Sequence, residues 1–186
     1  MKEKKKSFST YKIVFIGVMA AVVCVVTFFR FPLLGSKVHF ANAMCLLSGL
    51  LFGGVGGGLA AGIGSALYDG LYGGYDIIQC LITFVTKFAM AFICAKIAGS
   101  PEKENKTRVV VASVVGALSY VALYMLKTFI YQRFVYAYPM ETVWATMGSK
   151  LPASLINAVF AMIVAPIFYA ALKPLLKKAG VLEKLK

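Results

Sequence analysis

Six predominantly apolar runs, at residues 11–29, 38–52, 55–72, 76–98, 109–131 and 151–172, fill most of this 186-residue chain and leave only short polar connections. A hydrocarbon core takes about 20 apolar helical residues to cross, and inside it each backbone polar group must find its partner within the segment, as a helix allows. The runs therefore predict an all-α membrane protein of six transmembrane helices. One integral membrane domain spans 1–186, with no length left for a soluble one. A hydrophobic content of 60% and a charged content of 15% agree with lipid as the solvent, as does the mean hydropathy of +0.81.

The second and third runs are separated only by a crowd of glycines, Gly53, Gly54, Gly56, Gly57 and Gly58, so that 38–72 also reads as one tilted span. The distribution of cations decides the count. With six spans, Lys2, Lys4, Lys5, Lys6 and Lys12, the group Lys96, Lys103, Lys106 and Arg108, and the tail Lys173, Lys177, Lys178, Lys184 and Lys186 all lie on one side, fourteen of the twenty Lys and Arg residues. Basic residues concentrate on the cytoplasmic side, so both termini are expected there. Five spans would put the last two clusters outside. The stretch 13–29 is longer than the apolar part of a signal peptide and lacks a clear cleavage site, so it reads as the first helix.

A net charge of +13 does not point to nucleic acid, because the lysines cluster between apolar runs and form no basic face. A single histidine, His39, and four scattered cysteines show no CxxC or HExxH spacing, so neither a metal nor another cofactor is expected. The glycines of 53–64 lack the Lys-Ser or Lys-Thr of a phosphate-binding loop. No GxSxG and no buried carboxylate pair supports catalysis. An enzyme is not expected.

Polar residues inside the spans carry the functional reading, since an ionisable group in hydrocarbon is costly unless it meets protein, water or ligand. The fourth run places Asp76, Gln79, Thr83 and Lys87 at spacings of three and four, along one helix face. Lys87 lies about 16 Å from the outer end at 1.5 Å per residue, too deep to reach the surface easily. The fifth run repeats the pattern with Ser113, Tyr120, Tyr124, Lys127 and Tyr131, and the sixth with Lys150, Ser154 and Asn157. Three polar stripes are stable in lipid when they converge, which predicts an outward-facing, aromatic-lined pocket. Arg30, Lys37, His39 and Asn42 of the first outer loop are placed at its mouth. The plainer alternative pairs Lys87 with Asp69 or Asp76 and leaves the tyrosines to satisfy one another. Trp144, Tyr136 and Tyr138 read as interfacial anchors or a lid.

The first three runs differ in being rich in small residues. Gly17 and Ala21 lie four apart, as do Gly58 and Gly62, and such faces suit close helix contact, within the chain or with another membrane subunit.

The sequence 38–43 (VHFANA), the run 49–53 (GLLFG), the stretch 62–69 (GIGSALYD) and residues 83–87 (TFVTK) together resemble the substrate-binding (S) components of energy-coupling factor (ECF) transporters. Within that family they are similar to the subgroup associated with hydroxymethylpyrimidine and pyridoxine. The resemblance implies a multi-pass protein of the cell membrane that binds a water-soluble vitamin or vitamin precursor. It implies a docking half, about 11–72, and a ligand half, about 76–172. The site would draw on Lys87, Thr83, Gln79, Tyr120, Tyr124, Lys127, Lys150, Asn157, Asn42, His39 and Asp69. A membrane coupling subunit would dock around Gly17, Ala21, Gly58 and Gly62, and two cytoplasmic ATPases would supply energy. The family usually carries AxxxA on the first helix, where this chain has GxxxA. The residues suit riboflavin-like rings, pyridoxine, pantothenate, folate or biotin alike. A membrane scaffold or assembly protein without a ligand is the competing function.

The topology has a direct check. In a background without native cysteines, a cysteine at Gly74 or Tyr138 should react with an impermeant external thiol reagent, and one at Asn105 or Gly180 should not. External labelling at Asn105 would overturn the six-span reading.

Overall fold

The computed structural model describes residues 9–33, 36–99 and 105–184; Lys2, Lys4, Lys5, Lys6, Lys103 and Lys186 of the charge argument lie outside them. Helix α1 (Thr10–Phe28) starts at Ser9, whose hydroxyl accepts from the Lys12 amide at 3.3 Å. A two-stranded antiparallel hairpin follows, β1 (Arg30–Leu33) and β2 (Ser36–His39), with Arg30 opposite His39. Then come α2 (Ala41–Leu71), α3 (Ile77–Ala98), α4 (Lys106–Ile130), a π-helical turn (Tyr131–Val135), α5 (Met140–Lys178) and the short α6 (Val181–Lys184). Among the described residues five helices are long and apolar enough to cross a membrane: α1, α2, α3, α4 with its π turn, and α5.

Helix α2 holds the expected second and third runs, and it reverses. Gly53 has φ 76° and ψ −177°, a conformation that a side chain would strain. The chain folds back there: the Ser48 hydroxyl donates to the Gly57 carbonyl at 2.9 Å, and Cys45 Sγ lies 3.8 Å from Ser65 Oγ. In a straight helix residues 45 and 65 would stand about 30 Å apart. The two limbs, 41–52 and 54–71, therefore lie antiparallel and side by side.

Every residue of the first limb is buried, as expected of a helix apolar all round. Its glycines set the distances. A Cβ on Gly49 would strike the Ala91 carbonyl of α3, and a Cβ on Gly57 would come within 2.5 Å of Gly49 Cα. The second limb meets α3 through matched spacings of four: Gly54 faces Phe92, Gly58 faces Phe88 and Gly62 faces Phe84, and a Cβ added at each would come within 3.0, 2.7 and 2.8 Å of the rings. The small face at Gly58 and Gly62 is thus filled by phenylalanines of the same chain. On α1, Gly17 has nothing within 4 Å of a Cβ position, and Gly17 and Ala21 are exposed.

Four features depart from the all-α expectation. The segment before α2 forms strands Arg30–Leu33 and Ser36–His39, which take in the first two residues of the expected second run, and backbone groups pair across the hairpin. The second run accordingly starts at Ala41 and not at Val38. Helix α4 widens into a π turn, with the Tyr136 amide donating to the Tyr131 carbonyl at 2.9 Å. Helix α5 starts eleven residues ahead of the expected 151, directly after Pro139, and reaches Lys178; Trp144 on its added turns packs on Phe129 at 6.3 Å between ring centroids. Pro152, Pro166 and Pro174 all sit within this helix.

The reversal makes a paired prediction. Gly57→Ala forces a methyl against backbone and should destabilise the detergent-solubilised protein by about 1–3 kcal/mol. Gly17→Ala should leave thermal melting unchanged. Equal melting of the two variants would contradict the packing of the limbs.

Candidate binding site

The first link to the site is Asn42, in the opening turn of the buried limb. Its side-chain oxygen accepts a hydrogen bond from Lys87 Nζ of α3, and the same ammonium lies 3.7 Å from the centroid of the Tyr120 ring on α4. Lys87 is only 4% exposed. Both partners of this buried cation are neutral. It therefore lines the cavity with no carboxylate of the described residues in contact, and the plainer alternative of a pairing with Asp69 or Asp76 is not what the structure shows. Asp76 serves instead as the N-cap of α3, accepting from the Gln79 amide at 2.9 Å and from the Gln79 side chain at 3.0 Å. Those bonds hold its carboxyl below the usual carboxylate range.

The cavity above Lys87 measures about 690 Å³. Ten of the eleven residues expected in the site line it: His39, Asp69, Gln79, Thr83, Lys87, Tyr120, Tyr124, Lys127, Lys150 and Asn157. The eleventh, Asn42, lies behind Lys87. The Tyr120 and Tyr124 rings stack at 6.0 Å with 23° between their planes, one wall of the space. Lys127 Nζ lies between the rings of Tyr75 and Tyr131, 6.0 and 5.9 Å from their centroids. From the hairpin, Arg30 packs over Tyr68 at 5.2 Å. The His39 amide donates to Asn157 Oδ1 at 2.8 Å, tying β2 to α5. Burial, followed by the charges of Lys87 and Arg30, pushes the His39 imidazole down to about 3, so it is neutral at physiological pH.

The lining residues thus hold four basic side chains, Arg30, Lys87, Lys127 and Lys150, against one carboxyl, Asp69. Such a site favours a ligand rich in acceptors or carrying negative charge. Sequence reasoning missed several members. Ser65, Tyr68 and Asp69 on the second limb of α2 follow the i, i+3, i+4 spacing of one helix face, a signal that was legible. Thr27, Tyr75, Thr86, Thr128 and Gln132 also line the cavity. Thr86 and Thr128 turn their hydroxyls to carbonyls of their own helices, Ile82 and Tyr124. Ser113, expected on the α4 stripe, is buried in the core and donates to the Val109 carbonyl. The cavity accordingly draws on both halves of the chain.

No curated protein matches the chain. Among solved structures it is similar to one described as "Structure and mechanism of the S component of a bacterial ECF transporter", at 20% identity and a TM-score of 0.66, over 89% of this chain and 97% of that one. At that identity the likeness shows the fold. The model of the family described as "ECF-type riboflavin transporter, S component" matches residues 7–174. The chain therefore belongs to the family of ECF-type riboflavin transporter S components, integral membrane subunits of vitamin transporters.

Proposed function

We propose that this protein captures a planar, acceptor-rich vitamin at the outer face of the cell membrane, with riboflavin the best candidate, and hands it to an ATP-driven coupling complex. The buried Lys87 ammonium, held by an amide oxygen and an aromatic ring inside a cavity of about 690 Å³, carries this reading. The carbonyls and ring nitrogens of an isoalloxazine complement its charge, and the Tyr120–Tyr124 wall suits a flat ring. The volume lies in the range of drug-sized ligands. The single rings of hydroxymethylpyrimidine and pyridoxine would leave much of it unfilled, so that subgroup is the less favoured candidate.

In this reading the two limbs of α2 make the second and third of six crossings, with Gly53 near the inner face and both termini cytoplasmic. The first limb spans only about 18 Å, which is tolerable because it is enclosed by protein and need not face lipid. Docking to the membrane coupling subunit uses the open face of α1, where Gly17 and Ala21 lie among the exposed Val14, Val18, Val22 and Val25. Gly58 and Gly62, already covered by Phe88 and Phe84, stay out of that contact.

Two experiments test the site and the docking face. Lys87→Met removes a charge-assisted contact worth roughly 1.5–3 kcal/mol, so riboflavin affinity, followed by quenching of flavin fluorescence, should fall about ten- to a hundredfold. The melting temperature should hold or rise, since the mutation also removes an uncompensated buried charge. Unchanged affinity would take Lys87 out of the site. Gly17→Leu should reduce co-purification with the coupling subunit and cellular uptake while affinity stays within about threefold, because a bulky side chain blocks close approach without touching the cavity. Normal uptake by that variant would place the docking surface elsewhere.

A further inference from the structure

A second recess, an apolar groove of about 150 Å³, lies away from the cavity. Helix α1 reaches the cavity with Thr27, close to its end, and the groove with Phe15, Val18 and Met19, nearer its start. Leu172 and Leu176 of α5 line the groove as well, together with the last residues of the first limb of α2. The chain's own turn adds the remaining piece. The Gly180 amide donates to the Lys177 carbonyl at 3.1 Å, Gly180 takes φ 66°, and Val181 of α6 comes back to the groove.

Cations flank this groove at one end only. Lys12 lies three residues before Phe15, and its Cε would stand 3.4 Å from a Cβ on Gly56, so its stem runs along the α2 reversal. Lys173 and Lys177 each follow a groove residue on α5, with Lys173 Nζ 5.6 Å above the Tyr169 ring, and Lys177 and Lys178 are exposed. The one acidic residue on these stretches is Glu183. From Lys12 to Val18 the helix rises about 9 Å, so the groove runs from a basic end into the apolar part of the bundle.

We infer that this groove is a binding site for an anionic phospholipid, with an acyl chain along Phe15, Val18, Leu172 and Leu176 and the phosphate at Lys12, Lys173 and Lys177. An apolar space of this size holds hydrocarbon and stays free of water. A helix about 10–12 Å across would displace roughly 700 Å³ over the same length, several times what the groove offers. The lysines select the sign of the headgroup, and they disfavour a second copy of the chain or its own residues 1–8, which carry Lys2, Lys4, Lys5 and Lys6 against Glu3. The site is independent of the vitamin reading and stands whether or not the cavity takes a flavin.

The single tryptophan, Trp144, provides the means of testing it. Trp144→Phe combined with Leu175→Trp moves the reporter to an exposed position beside the groove, and Trp144→Phe with Ile163→Trp moves it to an exposed position elsewhere on α5. Each full-length protein is reconstituted in phosphatidylcholine vesicles containing either brominated phosphatidylglycerol or brominated phosphatidylcholine, and tryptophan quenching is recorded. At Leu175→Trp, phosphatidylglycerol should quench at a mole fraction about fivefold lower than phosphatidylcholine, while Ile163→Trp should show no preference. Adding Lys12→Gln and Lys173→Gln should abolish the preference. Val181→Phe or Leu172→Phe, which narrow the groove and keep every lysine, should abolish it too, judged on whichever of the two melts with the parent. Equal quenching by both lipids at Leu175→Trp overturns the inference, and quenching by neither does so by showing that protein fills the groove. A preference that survives both narrowing variants also overturns it, as diffuse attraction of headgroups to the lysines without a seat for the chain.

Discussion

Close backbone approach around the first limb of α2 is the constraint on which the rest of the structure depends. Gly49 is pressed between Ala91 of α3 and Gly57 of the returning limb, and neither contact leaves room for a methyl group. On the α4 side, Gly116 lies against Leu46 and Cys94, where a Cβ would come within 2.8 and 2.9 Å. In lipid, hydrophobicity does not drive helices together, because the tails are as apolar as leucine; van der Waals packing across small residues does. The glycines therefore supply cohesion by letting helices touch. Once the central limb is fixed, its opening turn sets Asn42 beneath Lys87, and the floor of the cavity follows.

That floor has an uneven balance of charge. A buried ammonium with only an amide oxygen and a ring for company is stable enough to persist, yet less well compensated than one paired with a carboxylate. Binding then gains what the protein alone does not supply. A Lys87–Asp69 pair would have made a more self-sufficient fold and a weaker receptor, since a ligand would have had to displace the aspartate. Positioning Asp76 as a helix cap, with its oxygens engaged by Gln79, keeps the other nearby carboxylate out of the same competition.

The parts of this architecture that sequence revealed are those where lipid makes an error costly. Lys87, Lys127 and Lys150 stand out in apolar runs because each must be accommodated, and the glycine crowd at 53–58 marked the reversal because few other residues permit it. What escaped was decided by contacts between distant segments. Nothing local announces that Gly54, Gly58 and Gly62 are spaced to receive Phe92, Phe88 and Phe84 of the next helix, so a small-residue face that suits a partner was already filled from within. The strands 30–33 and 36–39 and the π turn lie at the ends of the apolar helices, where hydropathy loses its contrast and hydrogen bonding chooses the geometry. Gln132 was invisible for the same reason. Its place in the cavity lining depends on a turn one residue wider than the α-helix that periodicity assumes.

The glycine–phenylalanine matching also limits what remains for association with other subunits. Exposed valines at 14, 18, 22 and 25 do not identify an interface in a bilayer, because they rest as comfortably against acyl chains as against protein. A backbone that a neighbour can approach closely does distinguish one face from another. Gly17 and Ala21 provide this on α1, four residues apart, with open space at the Gly17 Cβ position. The opposite side of α1 is committed to the fold, with Ala20 and Val23 pressed on Gly64, while Thr27 at its far end lines the cavity. One continuous helix therefore bears the open small-residue face, the contact that holds the buried limbs and a part of the cavity wall. A partner that shifts α1 cannot move its small-residue face alone: the shift must either carry Thr27 with it or break the contact at Gly64.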